Sequence, residues 1–129
     1  MKIIAKTFFL VSFILVLAGC RKDNYNPNQV FTLKYEQKAY LNLDGKKTEI
    51  RFTELKEDSR CPPDKQCYVM GDVAVEIKLA GDKFILGHHY DYPASIVYKN
   101  HVIQLLEVNY DKKKHFGKES HCVIKLRVD

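Results

Sequence analysis

The stretch DVAVEIKL at residues 72–79 alternates large aliphatic side chains with small or charged ones. The aliphatic side chains all fall on one side of an extended chain: Val73, Val75, Ile77 and Leu79. Alternation with a period of two is typical of a β-strand that buries one face and exposes the other. The residues between them, Ala74, Glu76 and Lys78, are then expected on the outer face.

The same period returns elsewhere in the chain. Ser120–Val128 places four side chains on the inner face: Cys122, Ile124, Leu126 and Val128. Ile50 and Phe52 also alternate, but Leu55 is out of phase, which predicts a β-bulge near Thr53-Glu54. Residues 102–110 carry apolar side chains on both faces, a pattern expected of a strand covered on both sides.

Turn signals separate these runs. Asp44-Gly45 and Gly81-Asp82 each lie between two predicted strands and favour tight hairpins. No stretch longer than one turn has the period and caps of a helix. About seven short strands in some 100 residues predict an all-β fold, either a single antiparallel β-sandwich or a small barrel.

A leader precedes this body. Residues 1–19 combine Lys2 and Lys6 with an apolar run that is short for a membrane span. The run closes on Leu-Ala-Gly before Cys20, which resembles the lipobox of bacterial lipoproteins. The resemblance implies cleavage before Cys20, a diacylglycerol in thioether linkage to its sulfur and an acyl chain on its new amino group, with no other cofactor. The alternative is an ordinary leader, cleaved or retained, in which Cys20 is incidental.

The chain therefore divides into three parts: a signal peptide at 1–19, a lipidated cysteine with a flexible polar tether at 20–28, and a β-domain at 29–129. Arg21 follows the lipidated position, where Asp would favour inner-membrane retention in enterobacterial lipoproteins. The resemblance therefore implies a cell-envelope location, anchored to the outer membrane on its periplasmic or surface face. The leader holds two of the 21 lysines and arginines and none of the 16 acids, so the remainder has a net charge of only +3. That balance argues against a nucleic-acid partner.

Three cysteines remain in the body. Cys61 and Cys67 are six residues apart around two prolines, which suits a small disulfide-closed loop in an exported chain. Cys122 shares its inner face with Ile124 and is expected to be a buried free thiol. A bridge from Cys122 to Cys61 or Cys67 stays open as the alternative.

The segment before this loop reads Asp58-Ser59-Arg60-Cys61-Pro62, with Cys67 and Gly71 following. It resembles a family of small Bacteroidetes lipoproteins for which no activity is established. The resemblance spans residues 29–129 and implies the fold, the disulfide and the envelope location. It departs where the family has a tryptophan after the second cysteine and this chain has Tyr68. Asp58, Ser59 and Arg60 are expected to hold the loop, and the alternative is a ligand-binding loop.

Neither catalysis nor metal binding has a recognisable motif. Serines lack a nucleophile-elbow context, so we do not expect an enzyme. The five histidines show no metal-ligand spacing and are expected at the surface: His88, His89, His101, His115 and His121. The run Lys112–Lys114 is expected at a solvated hairpin tip, with contact to anionic lipid headgroups or an acidic polymer as the alternative.

These features predict a lipid-anchored, non-enzymatic binding or assembly module, with the membrane as one partner and an envelope protein as another. Aromatic and cationic side chains near the cysteine loop and in residues 88–93 form the candidate binding surface: Arg60, Tyr68, His88, Tyr90 and Tyr92. The alternative function is a periplasmic or surface binder of small ligands or transition metals, using His88, His101 or His121.

Overall fold

The computed structural model describes residues 23–88 and 91–129. Within them the chain forms nine strands and two short 3₁₀ turns, Lys113–His115 and Glu119–His121. The strands are β1 Asn24–Tyr25, β2 Gln29–Lys34, β3 Lys38–Leu43, β4 Lys46–Asp58, β5 Val73–Leu79, β6 Asp82–His88, β7 Ser95–Tyr98, β8 His101–Tyr110 and β9 Cys122–Val128. Two of them, β1 and β7, are short, which is why the sequence predicted about seven.

The strands form two sheets that pack as a β-sandwich, not as a closed barrel. The first sheet has the order β1-β3-β4-β5-β6, and the second has the order β2-β9-β8-β7. All pairs are antiparallel except β1 with β3, which is parallel. The predicted hairpins are confirmed at Asp44-Gly45 and at Ala80-Gly81, where both residues of each turn have the positive φ that a tight hairpin needs.

The core lies between the sheets and confirms the predicted inner faces. The four aliphatic side chains of β5 and the four inner side chains of β9 are all buried. The outer face of β5 is less open than expected, because Ala74 and Glu76 are buried as well. Glu76 is satisfied there by a hydrogen bond that Thr53 Oγ1 donates at 2.8 Å.

Register shifts, two in β4 and one in β8, determine which face each side chain of these strands occupies. The bulge expected near Thr53-Glu54 is confirmed between Phe52 and Glu54. In β8 the register shifts between Leu105 and Glu107, so the apolar residues before and after the shift share one face. The expectation that β8 is covered on both sides is therefore wrong. Ile103, Leu105 and Val108 are buried together, while Val102 and Leu106 are only partly buried.

The described part of the expected tether is folded. Asn24 and Tyr25 pair with Tyr40 and Leu41 of β3, and the Tyr25 ring stacks on Phe31 at 4.4 Å between centroids. Backbone pairing and an aromatic contact therefore hold this segment against the sandwich, ahead of the boundary expected at residue 29. Cys20, Arg21 and the signal peptide lie outside the described residues. Where the structure describes the chain, it contains no helix of the length and hydrophobicity that crossing a membrane requires.

Candidate functional site

The long connection between β4 and β5, residues 59–72, is an irregular loop at one end of the sandwich. The predicted disulfide between Cys61 and Cys67 is confirmed and closes the middle of this loop. Cys122 is a buried free thiol, as expected, and bridging to the loop is excluded. Burial raises the pKa of Cys122 to about 12, so this thiol is neutral and unreactive at physiological pH.

Asp58 fastens the first end of the loop. Its side chain is 2% exposed and accepts hydrogen bonds from Arg60 Nε and Nη2, each at 2.8 Å, and from the Tyr110 hydroxyl at 2.6 Å. Burial raises the pKa of Asp58, but the hydrogen bonds from Arg60 and Tyr110 outweigh burial and hold that pKa below its usual range. The carboxylate is therefore ionised and fully paired, as the sequence expectation of a structural role requires.

Arg60 extends this attachment to the second sheet. Its Nη1 donates to the Val108 carbonyl oxygen at 2.8 Å, and its guanidinium lies 5.8 Å from the centre of the Phe116 ring. β7 pairs with β8 only as far as Gln104, so Val108 lies on an edge that no strand covers. The Arg60 side chain thus provides a hydrogen-bond donor for a carbonyl at the uncovered edge of β8, and this bond holds the loop against that strand.

His88 performs the same task three residues earlier on this edge. Its Nε2 lies 2.9 Å from the Leu105 carbonyl oxygen. A carbonyl only accepts, so Nε2 carries the proton in this contact. Like Arg60, His88 therefore directs a hydrogen-bond donor at the open edge of β8.

Hydrogen bonds between Ser59 and Asp72 join the two ends of the loop, and Gly71 allows their close approach. Ser59 Oγ accepts from the Asp72 amide at 2.9 Å, and the Ser59 amide donates to the Asp72 carbonyl at 2.8 Å. A Cβ on Gly71 would overlap the backbone carbonyl of Ser59. The two strands of the loop therefore approach so closely that only glycine fits at position 71.

The far part of the loop is open to solvent. We call Tyr68, Val69 and Met70 the loop tip. Tyr68 is fully exposed, and Val69 and Met70 are 78% and 76% exposed. A shallow depression of about 340 Å³ lies beneath these three side chains and reaches the disulfide and Arg60. Three adjacent large hydrophobic residues on a fixed loop form an exposed apolar patch, which is a feature of contact surfaces.

Lysines flank the same loop. Lys112, Lys113 and Lys114 are exposed in the link between β8 and β9. Two surface depressions of about 270 and 250 Å³ join these lysines to Pro63 and Asp64 of the loop. The loop end of the sandwich thus combines an apolar tip with a concentration of positive charge. The lysines lie in a hairpin connection, as predicted.

The candidate binding surface is only partly assembled by the fold. Tyr68 is in the loop tip, whereas Arg60 and His88 are engaged with the edge of β8. Tyr92 is partly buried and lies against Gly87, where an added Cβ would come within 2.8 Å of the Tyr92 Cβ. Tyr90 and the neighbouring His89 lie outside the described residues. Val69 and Met70 were not singled out by sequence, although both belong to the cysteine loop.

The histidines are distributed differently from the sequence expectation. His101 is at the opposite end of the sandwich, where Nε2 lies 3.1 Å from Asp44 Oδ1. His121 lies beside His115 and Asp111, and the three side chains place their ligand atoms within 4.8 Å of one another. This cluster of one carboxylate and two imidazoles was not predicted from the sequence. Its only sequence signal is the spacing of four between Asp111 and His115, because His121 joins through the β8–β9 pairing.

Searches against protein-family models, curated proteins and solved structures gave no match for this chain.

Proposed function

We propose that this chain is a lipid-anchored cell-envelope protein with Cys20 as the acylated residue, and that its β-sandwich is a non-catalytic binding module. The module binds the anionic phospholipid surface of the membrane to which the chain is anchored. One observation carries the proposal. The loop tip is apolar and exposed, while the base of the loop (Asp58, Ser59 and Arg60) is hydrogen-bonded within the domain. Three exposed lysines lie beside the same loop.

The division of the loop supports binding rather than packing. The polar groups of Asp58, Ser59 and Arg60 find their partners within the domain. The loop tip has no comparable cover, since all three of its side chains are at least 76% exposed. A loop that is fixed at its base and closed by a disulfide presents its tip with little conformational entropy left to lose on binding.

The chemistry of the tip suits a membrane interface. A tyrosine with one apolar body and one polar end is favoured at the headgroup level, and valine and methionine gain free energy from entering the acyl region. Each lysine close to an anionic surface adds about 1 kcal/mol of attraction, so Lys112–Lys114 together contribute about 3 kcal/mol. Apolar insertion and electrostatic attraction therefore act at the same end of the molecule.

The chain enters the folded domain part-way along the first sheet. β4 runs toward the loop, β3 runs away from it, and β1 is parallel to β3. Through β3, Asn24 is level with Glu49, nine residues before β4 ends at Asp58. Cys20 is three positions before Asp23, a reach of about 10 Å at full extension. A lipid on Cys20 would thus hold the folded domain close to the bilayer, and the loop tip and its lysines supply the further contact with the lipid surface.

The proposal is tested on the chain from residue 20 onward carrying Cys20→Ser, which keeps the whole sandwich and removes the lipid. We expect this protein to sediment with vesicles of phosphatidylethanolamine containing 30% phosphatidylglycerol, and not with phosphatidylcholine vesicles. Tyr68→Ser combined with Met70→Ser should weaken partitioning at least about ten-fold, because two side chains that bury apolar surface are lost.

The matched control is Val97→Ser. Val97 is 71% exposed on β7, close to the exposure of Val69, but it lies away from the loop. Val97→Ser should partition like the parent, whereas Val69→Ser should not. Equal partitioning of the two variants would contradict the proposal, as would failure of the parent to bind anionic vesicles. A photo-crosslinker at position 68 in cells should label lipid, and a single protein adduct would show that the occupant is a protein instead.

A further inference from the structure

The connection between β8 and β9 brings three side chains together: Asp111, His115 and His121. Asp111 directly follows β8, and its amide donates to the His121 carbonyl at 3.1 Å, just before β9 begins. His115 ends the first 3₁₀ turn, four residues after Asp111. Strand pairing therefore fixes two of the three side chains, and a single turn fixes the third.

Both imidazole rings contact the carboxylate of Asp111. His115 Nδ1 lies 2.7 Å from Asp111 Oδ1, and His121 Nδ1 lies 2.8 Å from Oδ2. The rings are stacked at 3.7 Å between centroids with an angle of 21° between their planes. Each carboxylate oxygen thus serves one ring, and the same kind of nitrogen from both rings faces the same small volume.

The arrangement has the features of an open metal site. Two imidazole nitrogens and one carboxylate oxygen are the ligands that Zn²⁺, Cu²⁺ and Ni²⁺ bind, at about 2.0–2.2 Å. The ligand atoms are already within 4.8 Å of one another, so separating each nitrogen from its oxygen by a few tenths of an ångström would admit an ion. The side chains of His115 and His121 are 16% and 36% exposed, respectively. Because the protein already restricts them, they lose little conformational freedom when they bind an ion.

The surroundings select among metals. Lys34 lines the depression beside Asp111 and His121, and Lys112–Lys114 follow Asp111 directly. With one carboxylate among several lysines, Ca²⁺ and Mg²⁺, which need several oxygen ligands, are disfavoured. Imidazole nitrogens keep their affinity for first-row transition metals through bond strength rather than net charge alone, and Cu²⁺ is the strongest binder in that series.

We propose that Asp111, His115 and His121 form a binding site for one divalent transition-metal ion, with Cu²⁺ bound more tightly than Zn²⁺ or Ni²⁺. Three protein ligands leave at least one coordination position open to water or to a further donor. The other two histidines whose side chains are described do not contribute, because His88 caps the edge of β8 and His101 lies at the opposite end of the sandwich.

The test is calorimetric titration of the untagged chain from residue 20, carrying Cys20→Ser, with Cu²⁺ and separately with Zn²⁺. We expect one ion per chain, micromolar or tighter affinity for Cu²⁺, and weaker affinity for Zn²⁺. His115→Gln and His121→Gln should each weaken Cu²⁺ binding at least about ten-fold. Loss of a group that only hydrogen-bonds to a metal ligand already weakens binding about ten-fold or more, and loss of the ligand itself should weaken it at least as much. Electron paramagnetic resonance of the Cu²⁺ form should show two coordinated nitrogens.

His101→Gln is the matched control, because His101 also pairs with one aspartate but has no second histidine. It should leave Cu²⁺ affinity unchanged. Asp111→Asn removes the anionic ligand but keeps one hydrogen-bond acceptor, its Oδ1, for one of the two rings, so it should fold and should bind Cu²⁺ at least about ten-fold more weakly than the parent. Equal Cu²⁺ affinity in His121→Gln and His101→Gln, or parent affinity weaker than about 100 µM, would overturn the assignment.

Discussion

The base and the tip of the cysteine loop differ in the burial and the hydrogen bonding of their side chains. At the base, Asp58 is 2% exposed and its carboxylate receives hydrogen bonds from two side chains. At the tip, Tyr68, Val69 and Met70 are exposed and lie on the loop without comparable burial. The difference teaches that the conspicuous Asp-Ser-Arg motif holds the loop, whereas the inconspicuous residues after Cys67 are free to make contact.

The largest expected effect comes from removing the carboxylate at the base. Asp58→Ala leaves the partly buried Arg60 guanidinium without its ion-pair partner and the Tyr110 hydroxyl without its acceptor. We expect the free energy of unfolding to fall by about 3 kcal/mol, measured by urea denaturation monitored by circular dichroism.

Asp64→Ala is the matched control for this change, since Asp64 is an exposed aspartate in the same loop. It should change the free energy of unfolding by less than about 0.5 kcal/mol. Similar losses for Asp58→Ala and Asp64→Ala would erase the distinction between base and tip.

A smaller effect is expected at Gly71, where the two sides of the loop come closest. Gly71→Ala places a methyl group against the Ser59 carbonyl and forces the backbone apart. We expect a loss of about 2 kcal/mol in the free energy of unfolding. Met70→Ala, one residue away and at the exposed tip, should cost less than about 0.5 kcal/mol. A Gly71→Ala protein as stable as the parent would show that the contact is readily relieved.

The smallest effect is a difference in acid sensitivity. The pKa of Asp58 is lower in the folded protein than its ordinary value of 3.8. Between these two pKa values the unfolded chain binds more protons, so the stability that Asp58 contributes is complete above the unfolded pKa and is lost as pH falls through the folded pKa. The stability difference between the parent and Asp58→Asn should therefore shrink as the pH falls from 6 to 2. A difference that is constant over this range would contradict the assigned pKa direction.

The sequence predicted the fold well because each inner face follows a simple alternation. It placed the side chains of β5 and β9 correctly, as well as the bulge after Phe52. It misplaced the faces of β8 because a bulge near Leu106 resets the alternation, and an uninterrupted count cannot show such a shift. It did not predict the pairing of β1 with β3, since β1 is only two residues long and its partners lie sixteen residues further along the chain.

The site was harder to predict because its contacts are distant in sequence. The spacing of Cys61 and Cys67 was enough to predict their disulfide, and a structural role for Asp58, Ser59 and Arg60 was also expected, although the pairing of Asp58 with Arg60 was not specified. The contacts of Arg60 with Val108 and of His88 with Leu105 depend on an edge of β8 that β7 leaves uncovered. Those two residues therefore resembled surface binding groups until the topology showed what they bind.

The central claim is that the tip, and not another exposed apolar residue of the domain, meets the membrane. The most direct measurement is the depth of a nitroxide label in the chain from residue 20 carrying Cys20→Ser, bound to phosphatidylethanolamine–phosphatidylglycerol bilayers. Met70→Cys and Val97→Cys are labelled in turn, since Cys122 is buried and Cys61 and Cys67 are bridged. The account predicts that the label at position 70 lies below the phosphate level and is shielded from aqueous relaxation agents, while the label at position 97 stays in water. Equal aqueous exposure of both labels would contradict it.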